Sequence, residues 1–452
     1  MLSYGAWPPR AHRREPALRG RLPAAARGRR PLPGACARAR RGRAARAEGG
    51  GFHRGRRDDA LPLRVLLRRR PRAVRVALVD PLSYTPPYDH GLASALARRG
   101  HDVHLLTSRF LFGAVPRPDW YQREELFLPA SGRLLRRHPR SRARFALKGA
   151  EYGPSALRLL RRLDSLAPEV VHVQWLPLPR LDRLWLRRAA VRRPTVFTAH
   201  DVLPRRTAEQ TRLWLALFRT VSCVVVHSEY ARGRLEELGV EPERLVVIPH
   251  PAFERHGEGE PEAPGGSTIL FFGLIRPYKG LDTLITALGL LREQGLEARL
   301  VVAGDPLEPV DGYRELARHI GVEERIDWRL GFVARDAIAP LMAEAALVAL
   351  PYREIDASGV LADAIGHGRP VVVSDLGALG ETVRRFGAGE TAEPGNPKAL
   401  ADALARLLAA PGELRRAYEG ALAARAALTW DAAAEAHEQL YEELVSSAEG
   451  PA

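Results

Sequence analysis

From Val74 onward the chain alternates short apolar runs with amphipathic stretches, and that alternation leaves few folds open. VRVALVD (74–80) is a continuous apolar run of strand length, YDHGLASALARRG (88–100) has helical spacing and ends at a glycine, and DVHLLTS (102–108) is the next strand. Fully apolar strands separated by helices are the mark of a parallel sheet covered on both faces. The pattern continues through a helix near SALRLLRRLDSL (155–166), strands at VVHVQWL (170–176) and TVFTAHD (195–201), a helix around ARGRLEELG (231–239) and LVVIPH (245–250). Residues 254–267, ERHGEGEPEAPGGS, are charged, aperiodic and rich in Gly and Pro, as a linker would be. The alternation then restarts with TILFFG (268–273), GLDTLITALGLLREQG (280–295), ARLVVAGD (298–305), YRELARHIG (313–321), IDWRLGF (326–332), LVALPY (347–352), PVVVSD (370–375) and a helix after NPKAL (396–400). The expected architecture is α/β, with two Rossmann-like doubly wound domains, 73–253 and 268–428, facing a central cleft. A last amphipathic helix, 429–447, either packs on the second domain or crosses back to the first.

The chain has 452 residues and a formal charge of +16, which invites a nucleic-acid reading until the charge is located. Residues 1–70 hold 20 arginines against four acids, and the remainder is neutral. Residues 1–72, dominated by Arg, Ala, Gly and Pro, are expected to be a disordered leader, because such a stretch buries too little apolar surface to offset its ordering entropy. A basic arm, a targeting segment and upstream sequence translated from a misplaced start all fit it, the last being the plainest in the absence of an apolar signal core. A specific nucleic-acid partner is not expected. Two cysteines, Cys36 and Cys223, are too few for a disulfide framework or a zinc site, and no run of about 18 uncharged apolar residues offers a membrane span. A cytoplasmic protein is expected.

Two segments carry the chemistry. In ILFFGLIRPYKGLDTL (269–284) an apolar strand ends at Gly273, and the following loop places Arg276 and Lys279 where open α/β sheets bind ligands. In YREIDASGVLADAIGHGRP (352–370) a strand runs into Ser358 and Gly359 at the start of a helix, whose first amides have no internal partners and suit an anion. Together they suggest a phosphate cradle. The first strand leads into DPLSYTPPYDHG (80–91), with no G-x-G-x-x-G fingerprint, so a dinucleotide cofactor is not expected. Tyr84, Tyr88, Asp89 and His90 in this stiff loop are candidates for recognising a second substrate, with a plain helix cap as the alternative for Asp89. His200, in FTAHD, stands at a strand end facing the expected cleft. SGRLLRRHPRSRARFALKG (131–149) interleaves basic residues with Leu and Phe, as a solvated surface or a contact with anionic membrane would.

GLIRPYKG (273–280), VVAGD (301–305), SGVLADAIGHGRPVVVSDLGALGE (358–381), FTAHD (197–201), VVHSEY (225–230) and VIPHP (247–251), in that order and spacing, resemble the retaining glycosyltransferases of family 4, which have the GT-B fold. The resemblance spans roughly 74–447. It implies an enzyme moving a sugar from a nucleotide-diphosphate sugar, bound mainly by the second domain, to the hydroxyl of a sugar, glycolipid or small-molecule acceptor held by the first. Arg276 and Lys279 would grip the diphosphate beyond Gly273, and Ser358, Gly359, Val360 and Leu361 would present amides to phosphates or sugar. Asp363 stands where the second glutamate of the family's paired motif holds the ribose. The first glutamate falls on Ile355, with Asp356 the nearest acid, so the contact to the transferred sugar is not assigned. By the same resemblance His200 lies near that sugar, as a catalytic or positioning group, and the last helix crosses back to the first domain.

Neutralising a departing nucleotide needs either a metal on an Asp-x-Asp motif or fixed cations and helix N-termini. The sequence has no Asp-x-Asp. Metal-independent transfer without a cofactor is therefore expected, and the resemblance implies retention, with direct front-face attack as inferred for the family. A nucleotide-sugar epimerase of the same fold and a non-catalytic nucleotide- or sugar-binding protein are the alternatives. A peripheral place at the inner face of a membrane would follow if residues 131–149 touch lipid. The donor sugar, its base, the acceptor and the oligomeric state are not legible.

Overall fold

The computed structural model describes residues 72–134, 142–204, 207–254, 261–355 and 357–449. The expected leader therefore lies outside the described residues, apart from Arg72. In the first lobe β1 (Arg75–Asp80), β2 (Asp102–Ser108), β3 (Gln122–Phe127), β4 (Val170–Val173), β5 (Thr195–Ala199), β6 (Cys223–Val226) and β7 (Leu245–Val247) form one parallel sheet in the order β3-β2-β1-β4-β5-β6-β7. It carries α1 (Pro86–Arg98), α2 (Pro129–Leu134), α3 (Arg142–Leu166), α4 (Pro179–Arg192), α5 (Thr211–Phe218) and α6 (Glu229–Glu237). In the second lobe β8 (Thr268–Phe272), β9 (Arg299–Gly304), β10 (Ile326–Leu330), β11 (Leu347–Leu350), β12 (Val371–Ser374) and β13 (Gly389–Ala392) pair in parallel in the order β10-β9-β8-β11-β12-β13. Its helices are α7 (Leu281–Glu293), α8 (Asp311–Ile320), α9 (Arg335–Glu344), α10 (Gly359–Gly366), α11 (Gly377–Phe386), α12 (Pro397–Ala409) and α13 (Pro411–Ala427), followed by α14 (Trp430–Glu449).

Both sheets reverse strand order beside their first strand, at β1/β4 and at β8/β11. Those are the crevices where open α/β sheets take ligands, because neighbouring loops diverge to opposite faces. The strands are central and apolar on both faces: in β1 every residue after Arg75 is buried, and β11 is buried throughout. Apolar layers cover each face of each sheet.

Several element boundaries differ from the sequence reading. β3, QREELF, was not anticipated because an edge strand needs no apolar face, and only Phe127 of it is buried. α3 begins at Arg142, well ahead of the apolar spacing at 155. α2, α4, α5, α9, α11 and α13 are additional, as are β6 and β13; Pro340 inside α9 masks its helical signal. β4 ends at Val173, which puts Gln174 and Trp175 on the loop after it.

The C-terminal strand ends of the two lobes face each other. The loop after β10 places the Phe332 ring against Gly113, in the loop after β2. Glu381 of α11 accepts hydrogen bonds from the first two amides of α6, Glu229 N at 3.0 Å and Tyr230 N at 2.5 Å, while Ser228 Oγ takes the third from Ala231. A carboxylate from one lobe thus completes the helix N-terminus of the other.

α14 packs along α1. Trp430 lies against Gly91 so closely that a Cβ there would sit 2.4 Å from the indole, Tyr441 Oη meets His172 Nδ1 at 2.6 Å, and Glu438 meets His101 Nε2 at 3.0 Å and Arg99.

Candidate functional site

In the second lobe the site is built around Gly273. Its φ of 104° belongs to glycine, and its Cα is pinched between two groups remote in sequence: a Cβ would lie 3.0 Å from Lys279 Nζ and 3.2 Å from Val360 Cγ2. Gly280, at φ 70°, lets the chain turn into α7 with the Pro351 carbonyl oxygen only 2.0 Å from where a Cβ would be. Lys279 is buried, with Nζ 5.0 Å from the Tyr352 ring centroid, and among the described residues Arg276 makes no ion pair. Ser358 caps α10 by accepting from Leu361 N at 3.4 Å, so the amides ahead of it stay available at the helix start. Lys279 and Val360 therefore come from two segments about eighty positions apart and meet over Gly273 at the β8/β11 crevice.

Asp363, one turn into α10, is buried and pairs with Arg335 Nη1 at 3.2 Å. Burial pushes its carboxyl up to about 6, and the Arg335 charge opposes that rise. Arg335 in turn lies 4.9 Å over the ring of Phe253, whose amide donates to Ala362 O at 3.1 Å. Ile355 packs against the core of this lobe, and Asp356 lies outside the described residues.

In the first lobe, DPLSYTPPYDHG folds over Asp80. Buried Asp80 accepts from the amides of Leu82 at 3.2 Å, Tyr84 at 2.6 Å and Thr85 at 3.3 Å, and Ser83 takes a positive φ of 54° to allow it. Asp89, equally buried, shares a hydrogen bond with Asp80, and burial raises both carboxyls, Asp89 further. Three amide donors favour the anion at Asp80, so Asp89 is the acid of the pair and gives its proton to Asp80. Its side chain is also hydrogen-bonded with Thr85, and its Oδ1 is fully buried. Asp89 lines a cavity of about 160 Å³ whose wall also includes Ser83, Thr107, Arg109, Tyr121 and Arg123. At roughly 30 Å³ per water that is room for about five waters, or one polyol ring.

The other expected residues of this loop are placed differently from one another. Tyr84 is exposed and meets Trp175 edge-on at 5.4 Å, while His90 reaches Tyr121 Oη at 3.0 Å. Tyr88 is buried, edge-on to His200 at 4.8 Å and to Trp430 at 5.4 Å, and burial raises its phenol. Tyr88 thus supports the loop from beneath and presents no hydroxyl to the cavity.

His200 follows β5 and lies under Trp175, with ring planes 12° apart and centroids 4.9 Å apart. His227 Nδ1 can only donate to Ile248 O, 2.9 Å away, and burial holds His227 neutral with a pKa of about 4. Its Nε2 must then accept from His200 Nδ1, at 3.2 Å. His200, also neutral through burial, is left with a bare Nε2 facing the Gln174 side-chain amide at 3.1 Å. That contact holds only with the Gln174 nitrogen turned toward the ring, which also gives a partner to a buried amide nitrogen that otherwise lacks one. Both ring nitrogens of His200 are therefore engaged within the protein.

Trp175, Thr107, Arg109, Tyr121 and Arg123 were missed by sequence reading. Trp175 carried a usable signal, a lone Trp at the carboxyl end of an apolar run, whereas the others line the cavity through β2 and β3, and β3 was not recognised. Among the described residues no group of three His, Cys, Asp or Glu is placed to hold a metal ion.

Two parallel doubly wound lobes joined through Phe253 and α14, with their strand ends opposed, define a two-lobed α/β protein of the kind that closes on a ligand between lobes. Residues 90–252 match the family model described as Glycosyltransferase Family 4, and residues 266–410 match that of Glycosyl transferases group 1. The chain belongs to the family 4 glycosyltransferases of GT-B fold. Among curated relatives, the D-inositol 3-phosphate glycosyltransferase of Nocardia farcinica is 28% identical over 56% of this chain and 61% of its own length. That of Xylanimonas cellulosilytica is 36% identical over 38% of this chain and 41% of its own. The chain thus spans less than two thirds of the length of these relatives. Sucrose-phosphate synthase from Thermosynechococcus elongatus superposes with a TM-score of 0.64 at 19% identity, covering 83% of this chain and all of that one. Anabaena HepE, in its complex with UDP-glucose, gives 0.60 at 17% over the same shares. At such identities these two establish the fold alone.

Proposed function

We propose that the protein is a glycosyltransferase that moves a sugar from a nucleotide-diphosphate sugar to an acceptor hydroxyl, with retention and without a metal. The observation that carries this reading is the convergence on Gly273 of Lys279 Nζ and the first turn of α10. A buried ammonium and a helix N-terminus, with Arg276 beside them, are fixed positive groups where a diphosphate would gain charge as it leaves. The bond from the anomeric carbon to the diphosphate oxygen breaks, and a bond to the acceptor oxygen forms on the same face. The acceptor proton passes to the departing phosphate oxygen, which is why retention needs no second base. Asp363 takes the ribose hydroxyls, and Asp356 is the acid nearest in sequence to the position of the family's first glutamate. HepE, a structural neighbour recorded with UDP-glucose, supports a donor of this class.

The acceptor enters the first-lobe cavity, where Thr107, Arg109, Tyr121 and Arg123 offer polar groups to a sugar or polyol hydroxyl. Tyr84 and Trp175 offer ring surfaces at its mouth, and His90 orients Tyr121. His200 acts by holding Trp175 in place, since its nitrogens are engaged and its ring is neutral. Peripheral contact with anionic membrane through 131–149 belongs to this reading as well, although residues 135–141 lie outside the described residues.

Calorimetric titration with UDP, GDP, ADP and TDP in EDTA tests the donor site. One nucleotide should bind, and Arg276→Ala or Lys279→Ala should each weaken it by about 1.5–3 kcal/mol, the worth of a charged hydrogen bond. If no nucleotide binds, or both variants bind like the parent, the cradle assignment fails. Binding only after magnesium is restored would remove metal independence alone.

A further inference from the structure

The outer surface of the first lobe carries a second feature, away from the β1/β4 and β8/β11 crevices. α3 and α4 lie side by side and parallel: Tyr152 Oη donates to Asp182 at 2.5 Å near their starts, and Arg192 pairs with Asp164 at 2.5 Å near their ends. Their inward faces bury Tyr152, Leu159, Leu163, Trp185, Leu186 and Ala189. The outward faces are not the polar surface such helices normally show. Leu184 is 69% exposed, Val191 87%, Leu181 46% and, on α3, Leu157 56%.

Along α4, Leu181, Leu184, Arg188 and Val191 follow at three- and four-residue steps on one outward line, flanked by Arg180, Arg187 and Arg192. Arg158 and Arg161 stand beside Leu157 on α3. The three carboxylates of the two helices are all engaged: Asp182 is buried with Tyr152 and Trp185, Asp164 holds Arg192, and Glu151 accepts from the amides of Ala130 and Ser131. The result is a face of exposed aliphatic side chains set among guanidinium groups, of which Arg192 is paired with Asp164 while Arg187 and Arg188 are not ion-paired among the described residues.

We infer that this α3–α4 face is a docking surface for an anionic lipid bilayer. Aliphatic chains at the acyl boundary and arginines at the phosphate level satisfy both components at once, and a fluid surface needs no shaped groove. The other occupants are disfavoured by charge. Residues 1–71 are Arg-rich and would be repelled, and a second copy would set this face against itself, arginine to arginine. Nucleic acid would satisfy the guanidinium groups but leave four large aliphatic side chains in water. Among the described residues no helix is long and apolar enough to cross a membrane, so the contact is interfacial. The surface is independent of the cradle and the cavity and stands whether or not the transferase reading holds.

The experiment is co-sedimentation of the full chain with phosphatidylcholine vesicles, with and without about a third phosphatidylglycerol. The parent should bind the anionic vesicles at least tenfold more tightly than the neutral ones. Leu184→Asp with Val191→Asp should weaken that binding tenfold or more, and Arg187→Glu with Arg188→Glu by a similar factor, at unchanged unfolding midpoint because all four side chains are exposed. Binding carried by the basic leader would respond to salt but not to Leu184 and Val191. Equal binding by parent and Asp variants therefore overturns the inference, and so does equal binding to neutral and anionic vesicles.

Discussion

Asp89 shows how much depends on where one proton sits. With Asp80 held as the anion by three amides, Asp89 must be the acid, and an asparagine reproduces it: the amide nitrogen donates to Asp80 and the carbonyl stands in for the other oxygen. Asp89→Asn should therefore leave the unfolding free energy within about 1 kcal/mol of the parent at pH 7, while Asp89→Ala, which strips Asp80 of a buried donor, should cost about 1–3 kcal/mol. Urea unfolding of both variants decides it. A loss in Asp89→Asn as large as in Asp89→Ala would place the charge on Asp89. The sequence showed Asp89 in a stiff loop but also allowed a plain helix cap, because the partner that decides its state is nine residues earlier and buried beneath the turn. Lys279 and Val360 illustrate the complementary case. Each was readable as part of a local pattern, yet only the fold shows that Gly273 lies between them, where a methyl group would press on both.

At the scale of elements, what was legible follows burial. β1, β2, β4, β5, β8, β9, β11 and β12 are apolar runs that can only be central strands, and they appear where the runs are. β3 and α9 were not legible, since an edge strand and a proline-bearing helix carry little apolar period. The docking of α14 rests on side chains that period alone does not explain: Trp430 under Gly91, Tyr441 on His172 and Glu438 on His101. Gly91 lies in the middle of α1, where alanine would favour the helix by about 0.5–1 kcal/mol if nothing else were near. The indole is near, and a Cβ 2.4 Å from it forces Trp430 away. Gly91→Ala should therefore destabilise by about 1–3 kcal/mol, as overpacking does. Guanidinium unfolding monitored by far-UV dichroism reads this directly, and a stabilised variant would mean that α14 is held by its polar contacts and not by Trp430.

For the whole molecule, the unusual quantity is the number of neutral histidines in the interior around α14 and the first sheet. Burial holds His227 and His437 at about 4 and His250 at about 3, and pushes His172 and His200 well below the usual range. In the unfolded chain all five titrate near 6.5, so below that pH the unfolded state takes up protons the native state refuses, and stability falls as pH falls. Carboxyls oppose this. Asp182 is raised to about 7, Asp363 to about 6, and the Asp80–Asp89 pair keeps one proton, so the native state holds roughly three protons that the unfolded chain has released above pH 4. Five against three leaves about two protons, or about 3 kcal/mol of stability lost per pH unit between pH 6 and pH 5. Guanidinium midpoints at pH 7.5, 6 and 5 measure it, and stability that is flat or rising toward pH 5 would contradict the account. His437 allows a separate check, because its Nε2 is buried without a partner among the described residues. His437→Leu should not lower stability at pH 7.5 and should remove about one proton from the slope. An unchanged slope would show that His437 is already protonated in the native protein, and that the α14 contact is held by a charge instead of by neutral packing.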